Sequence, residues 1–255
     1  MSERLVFAVL AATLTATVFM SGIGLYVGIP ANAPSTDEGT VETVHLYFDH
    51  DRFDHDIDVG VVEAHRDNDL VRQVYSAISS PRFAVSDSVI DSLMDVLDER
   101  MEGMSEVDKA KALLDFVYMN TWYRTDEAQF GCNEYVQYPS ETLLYGKGDC
   151  EDLSLLLYVL YERAGLDAVL VNCQGHVAVA VDVDVHGESV SFRGRDYIIA
   201  DPTDSLGIGK TALNEIWFVN KADNPMAANI IIVALVSVQL VIGYLFLSQW
   251  RGGRE

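Results

Sequence analysis

Positive charge is scarce in this chain: 17 Lys and Arg stand against 39 Asp and Glu in 255 residues, a formal net charge of −22. Such a surface repels phosphate backbones and anionic lipid, which argues against nucleic acid as a partner. Cysteine is scarcer still, with only Cys132, Cys150 and Cys173. The chain therefore lacks the two paired Cys/His clusters of a structural zinc site. No cysteine follows the first apolar run, so nothing there suggests lipidation. The acids and histidines around His45, His50 and His55 contain no calcium-loop pattern with its Gly and closing Glu, and that stretch reads as a solvated acidic loop. No internal repeat is present.

What is there begins with two apolar runs, Leu5 to Ile29 and Ala227 to Trp250, neither carrying a charge. At 1.5 Å per residue each spans about 36 Å, enough for a hydrocarbon core, and each is expected to be a transmembrane helix. A secretory signal ending at Ala31-Asn32-Ala33 is the rival for the first, but that run exceeds the usual h-region. Arg4, Arg251 and Arg254 flank the outer ends. The expected topology is two-pass in the plasma membrane, with both termini cytoplasmic and residues 30–226 extracellular. With no charge inside either run, a channel or transporter is disfavoured. Gly24-x-x-x-Gly28 and Gln239 suit helix packing or self-association. The dispersed acid resembles proteins of salt-loving archaea, in which ionic strength screens self-repulsion.

Between the runs, residues 30–65 read as a linker followed by an uncertain acidic segment, and residues 66–222 as one domain. Helical spacing marks Asp67 to Ser79, Ser86 to Met101 and Ser105 to Tyr123, the last opened by Ser105-x-x-Asp108. Phe130 to Lys147 is polar and turn-rich. A further helix is expected from Cys150 to Ala164, striped by Leu153, Leu156, Leu157 and Leu160 and stopped at Gly165. Strands follow at Ala168 to Asn172, His176 to Val185 and Tyr197 to Ala200.

Cys150 opens its helix after Gly146-Lys147-Gly148-Asp149, where the helix dipole favours a thiolate. Asp149 and Asp152 are spaced as N-cap and N3. The acids beside the thiol oppose its ionisation, so a neighbouring imidazolium is needed. If the strand starting at His176 pairs antiparallel with the strand ending at Asp201, the three side chains meet at one sheet edge. Imidazole would take the thiol proton and carboxylate would fix its tautomer. The Cys150 N–H is a natural oxyanion donor, with Gln137 or the Trp122 indole as the second. Cys132 and Cys173 remain over, as a disulfide or as two reduced thiols. Zinc on Cys150, Cys173, His176 and Asp201 is the rival reading, and neither metal nor cofactor is assigned.

Gly148-Asp149-Cys150-Glu151-Asp152, Gly175-His176-Val177-Ala178-Val179 and Ala200-Asp201-Pro202-Thr203 resemble the three motif blocks of the transglutaminase-like superfamily. Tyr135 to Leu143 is similar to the lead-in of archaeal and bacterial members. The resemblance covers roughly residues 105–205. It implies an α+β papain-like core, a Cys-bearing helix on an antiparallel sheet, with Cys150, His176 and Asp201 as catalytic triad. It further implies a thiol hydrolase or acyl transferase, a cysteine peptidase-like enzyme, acting through an acyl-enzyme on peptide amides; the expected two-pass topology puts its peptide or protein substrate at the cell surface. Transglutaminase cross-linking and a non-catalytic surface scaffold are the alternatives.

Overall fold

The computed structural model describes residues 40–67 and 87–221. Both expected membrane spans, 5–29 and 227–250, and the expected helix Asp67 to Ser79 beyond its first residue lie outside the described residues. Among the described residues no helix is long and apolar enough to cross a membrane.

The chain opens with a hairpin, β1 (Val41–Phe48) against β2 (Asp51–Asp58), where an uncertain acidic segment was expected. Its turn is Asp49-His50, both at positive φ, as a two-residue hairpin requires. Period-two alternation buries Leu46, Phe48, His55 and Ile57 on one face and sends Asp54 and Asp56 to solvent. The hairpin runs on into α1 (Val59–Asp67).

Helix α2 (Ser88–Arg100) begins where Asp87 caps it, accepting from the Val89 N–H at 3.1 Å. Helix α3 (Glu106–Asn120) begins at Ser105, whose hydroxyl accepts from the Asp108 N–H at 3.2 Å. It ends three residues earlier than its apolar pattern suggests. Thr121 turns extended, and β3 (Trp122–Tyr123) pairs in parallel with β4 (Lys147–Gly148).

The stretch expected to be turns contains α4 (Asp126–Phe130) and α5 (Pro139–Tyr145). Proline at the first position of α5 has its φ preset and lacks an N–H the helix would leave unpaired. Glu141, fully buried, accepts from the Tyr138 N–H at 2.8 Å and from the Tyr135 hydroxyl at 2.7 Å. The Asp87 carboxylate also accepts from the Ser140 N–H at 3.0 Å, tying the starts of α2 and α5 together.

Helix α6 (Cys150–Arg163) is the centre of the molecule, with every residue from Asp152 to Tyr161 buried. A helix apolar nearly all round must be enclosed. One side packs on α3 and α5, the other on a five-stranded antiparallel sheet of order β7-β8-β6-β5-β9. The strands are β5 (Ala168–Cys173), β6 (His176–Val181), β7 (Ser189–Phe192), β8 (Arg195–Ala200) and β9 (Ile216–Asn220). Strand β6 ends at Val181, short of the expected Val185, because Val183 and Val185 turn back onto the carbonyls two residues before them. Ala168, Leu170, Val179, Val181, Ile198 and Ala200 face α6. Val169, Val171, Ala180, Val190, Tyr197 and Ile199 form a second, smaller core on the far face. The fold is thus α+β, with the Cys-bearing helix laid across an antiparallel sheet.

A candidate thiol active site

Strands β6 and β8 pair antiparallel with Val179 opposite Ala200, so the first residue of β6 lies beside the residue that follows β8. His176 and Asp201 occupy those places. The imidazole Nε2 and the Asp201 Oδ2 are 2.6 Å apart. Asp201 is 4% exposed, and its other oxygen accepts from the Thr203 N–H at 2.9 Å and hydroxyl at 2.6 Å. The bond to Asp201 raises the His176 pKa, and the bonds from His176 and Thr203 lower that of Asp201 against its burial. The carboxylate occupies Nε2, which leaves Nδ1 to face a reacting group.

Cys150 is the first residue of α6, and the Ser154 hydroxyl one turn on donates to the Val177 carbonyl at 2.9 Å, fixing the helix start against β6. The thiol reaches the Val177 backbone, next to His176. Its proton lies elsewhere: Sγ donates to the Glu151 carboxylate at 3.2 Å. Burial and the Glu151 charge push the thiol pKa far up, and the Val177 backbone bond offsets this only in part. Burial and the Glu151 carboxylate thus act on the sulfur against the helix dipole, which favours a thiolate.

A carboxyl cluster surrounds it. Burial pushes Asp126 and Glu151 up to about 7 and Asp149 to about 6, with the neighbouring acids adding repulsion. Asp126 is nearly fully enclosed, and its Oδ1 has no hydrogen-bond partner. Asp126, Glu134 and Glu151, and again Asp126, Asp149 and Asp152, each gather three carboxylate oxygens within 4.8 Å, the donor chemistry of a hard cation. Asp126 and Glu134 escape sequence reasoning because they sit well before the thiol on separate turns, amid acids of every kind. Tyr123, on β3, also lies near Cys150; burial and the surrounding acids push its hydroxyl up to about 12.

Gln137 is fully buried. Its Nε2 donates to Asp152 Oδ2 at 2.6 Å and to the Lys147 carbonyl at 3.2 Å, and its backbone N–H to Asp152 Oδ1 at 2.7 Å. Both amide protons are engaged in docking this segment onto the start of α6, so neither is left for an oxyanion. The Asp149 N–H donates to Asp152 at 3.3 Å, the expected N3-to-N-cap bond. Trp122 projects into solvent, 81% exposed. Cys132 and Cys173 are both free thiols, so the disulfide is not formed. Cys173 donates to the His176 carbonyl at 3.3 Å. Among the described residues, Cys150, Cys173, His176 and Asp201 do not converge as a metal set.

Residues 96–220 match the family model of the Transglutaminase-like superfamily. Among solved structures, the chain is similar to Legionella pneumophila LapG at 15% identity, covering 62% of this chain and 82% of LapG, with a TM-score of 0.39. Calcium-bound LapG is similar at 18% identity, covering 60% of this chain and 76% of that one, with a TM-score of 0.32. No curated protein matches the chain.

Proposed function

Because residues 96–220 form a transglutaminase-like domain, we propose that this chain is a thiol hydrolase or acyl transferase acting on peptide amides through Cys150, His176 and Asp201. The observation that supports the reading is the 2.6 Å His176–Asp201 pair, with the Cys150 sulfur bonded to the Val177 backbone next to His176. His176 Nδ1 accepts the thiol proton as Sγ bonds to the amide carbon. The carbonyl oxygen becomes an oxyanion, which the Cys150 N–H at the start of α6 stabilises. The C–N bond breaks, the imidazolium protonates the leaving amine, and a thioester remains. Water then attacks, giving its proton to His176, and the acid leaves while the sulfur regains a proton. An amine in place of water gives transfer instead of hydrolysis.

Glu151 must release the thiol before this sequence begins, since its carboxylate holds the Sγ proton. The two uncharged runs at 5–29 and 227–250 support tethering at both ends in the plasma membrane, with the domain extracellular and its substrate on the same surface. The test is mass spectrometry of a peptide library incubated with the purified full chain, with and without a primary amine. Shortened peptides made by wild type and absent with Cys150→Ala support hydrolysis, and amine adducts support transfer. No Cys150-dependent product of either kind overturns the reading in favour of a non-catalytic surface scaffold.

A further inference from the structure

Large apolar side chains are exposed on both sides of the thiol. On the helix side are Trp122, 81% exposed, and Tyr123, 54% exposed. They belong to β3, where the Trp122 N–H donates to the Gly146 carbonyl at 3.0 Å and the Arg124 N–H to the Gly148 carbonyl at 2.8 Å, the lead-in to Cys150. On the sheet side are Ile216, 40% exposed, and Trp217, 61% exposed.

Strand register fixes where that second pair lies. His176 is opposite Cys173, and Cys173 is opposite Ile216. Paired residues of antiparallel strands share a face, so His176, Cys173 and Ile216 form one row across three strands. At about 4.8 Å per strand, Ile216 is roughly 10 Å from His176 on the same face. A bulge at Asn172/Cys173 takes Trp217 out of the pairing. The Glu215 carbonyl accepts from the Gln174 N–H at 3.0 Å, anchoring this edge to the turn that precedes His176. Strand β9 is the sheet edge, and among the described residues nothing pairs with its outer side.

Charge narrows what fits between the walls. Besides the His176 imidazole and the Tyr123 hydroxyl, the ionisable groups gathered near the thiol are the acids Asp126, Glu134, Asp149, Glu151 and Asp152. An acidic peptide is repelled there, and an apolar or basic one is not.

We propose that Trp122–Tyr123 and Ile216–Trp217 are the apolar walls of a substrate cleft. They select an extended peptide with a bulky apolar residue about three residues from the scissile amide, at ~3.4 Å per residue, and with no acid beside that amide. The proposal rests on the thiol-hydrolase reading.

The test uses purified full chain and a matched set of peptide acyloxymethyl ketones, in which one Phe, Lys or Asp is moved along an Ala background. Each forms a thioether with Cys150 and expels a carboxylate. Labelling rates are read by mass spectrometry and divided by the same variant's iodoacetamide rate, which removes changes in thiol reactivity. With Phe at the matching position, wild type labels about tenfold faster than with Asp, and Trp217→Ala removes that preference. An unchanged preference in both Trp217→Ala and Trp122→Ala overturns the cleft while leaving the hydrolase reading intact. Labelling by iodoacetamide but by no peptide probe overturns both.

Discussion

Asp201→Asn removes one charge from the candidate site and alters almost no volume. The Asn carbonyl keeps the two bonds from Thr203, since Asp201 Oδ1 already accepts them. What changes is the atom facing His176, where a carboxylate oxygen 2.6 Å from Nε2 becomes an amide N–H donor. That donor needs a lone pair on Nε2, so the neutral ring must carry its proton on Nδ1, the nitrogen required as base. A buried charge-assisted hydrogen bond contributes about 1.5–3 kcal/mol, equivalent to roughly 1–2 pH units of His176 pKa. The His176 pKa should fall from above its ordinary value to that value or below, read from its ring proton by NMR across pH.

Stability follows the same linkage. His176 has a raised folded pKa, so its contribution is complete below the unfolded value of about 6.5 and is lost as pH rises through the folded value. Asp201 has a lowered folded pKa, so its contribution is present above about 3.9 and is lost as pH falls through the folded value. The variant should therefore lose most stability between about pH 4 and 6.5, with the deficit shrinking on either side. An unchanged His176 titration, or a thermal deficit that is flat with pH, would refute the reasoning.

Gly148→Ala places a Cβ 2.5 Å from the Cβ of the fully buried Asp152. It should cost about 1–3 kcal/mol, seen as a lower midpoint in urea, and an unchanged midpoint would contradict the packing described. Asp126 and Glu151 titrate near 7 and Asp149 near 6 in the folded chain, all raised. The native state therefore binds more protons than the unfolded chain above about pH 4, and stability should fall as pH rises from 5 to 8. Calorimetry should show a lower melting temperature at pH 8 than at pH 5, and Asp126→Asn should narrow the gap. Ser154→Ala leaves the Val177 carbonyl without its 2.9 Å donor. A loss of about 1 kcal/mol in chemical denaturation is expected, and no loss would show that this bond does not hold α6 to the sheet.

The cores of the helices were legible because caps and periodicity agree there. Asp87, Ser105 and Asp149 each stand at a helix start. The Cys150 helix and the antiparallel meeting of His176 with Asp201 follow from one apolar stripe and one period-two run. Helix α5 was not read, although Pro139 at its first position and Glu141 at its third are start signals, because the flanking glycines dominated. Strands β7 and β9 are short, partly exposed edges of the sheet, where alternation has little burial to report. The fate of Gln137 was illegible for another reason. Its partners, Asp152 and the Lys147 carbonyl, come from chain brought near only by folding. The upward push on the Cys150 thiol was legible only in its adjacent acids, Asp149 and Glu151; its largest cause, burial, comes from the packing around the start of α6.

The central claim is that Cys150 reacts with His176 as its base. The most direct measurement is the rate of Cys150 carboxamidomethylation by iodoacetamide across pH 5 to 10 in the purified full chain, for wild type and His176→Ala, with Cys150→Ala as the blank. The account predicts that wild type reacts at least about tenfold faster near neutral pH, with a dependence that follows His176, while His176→Ala reacts only as a buried thiol of raised pKa does. Superimposable profiles for wild type and His176→Ala would contradict it.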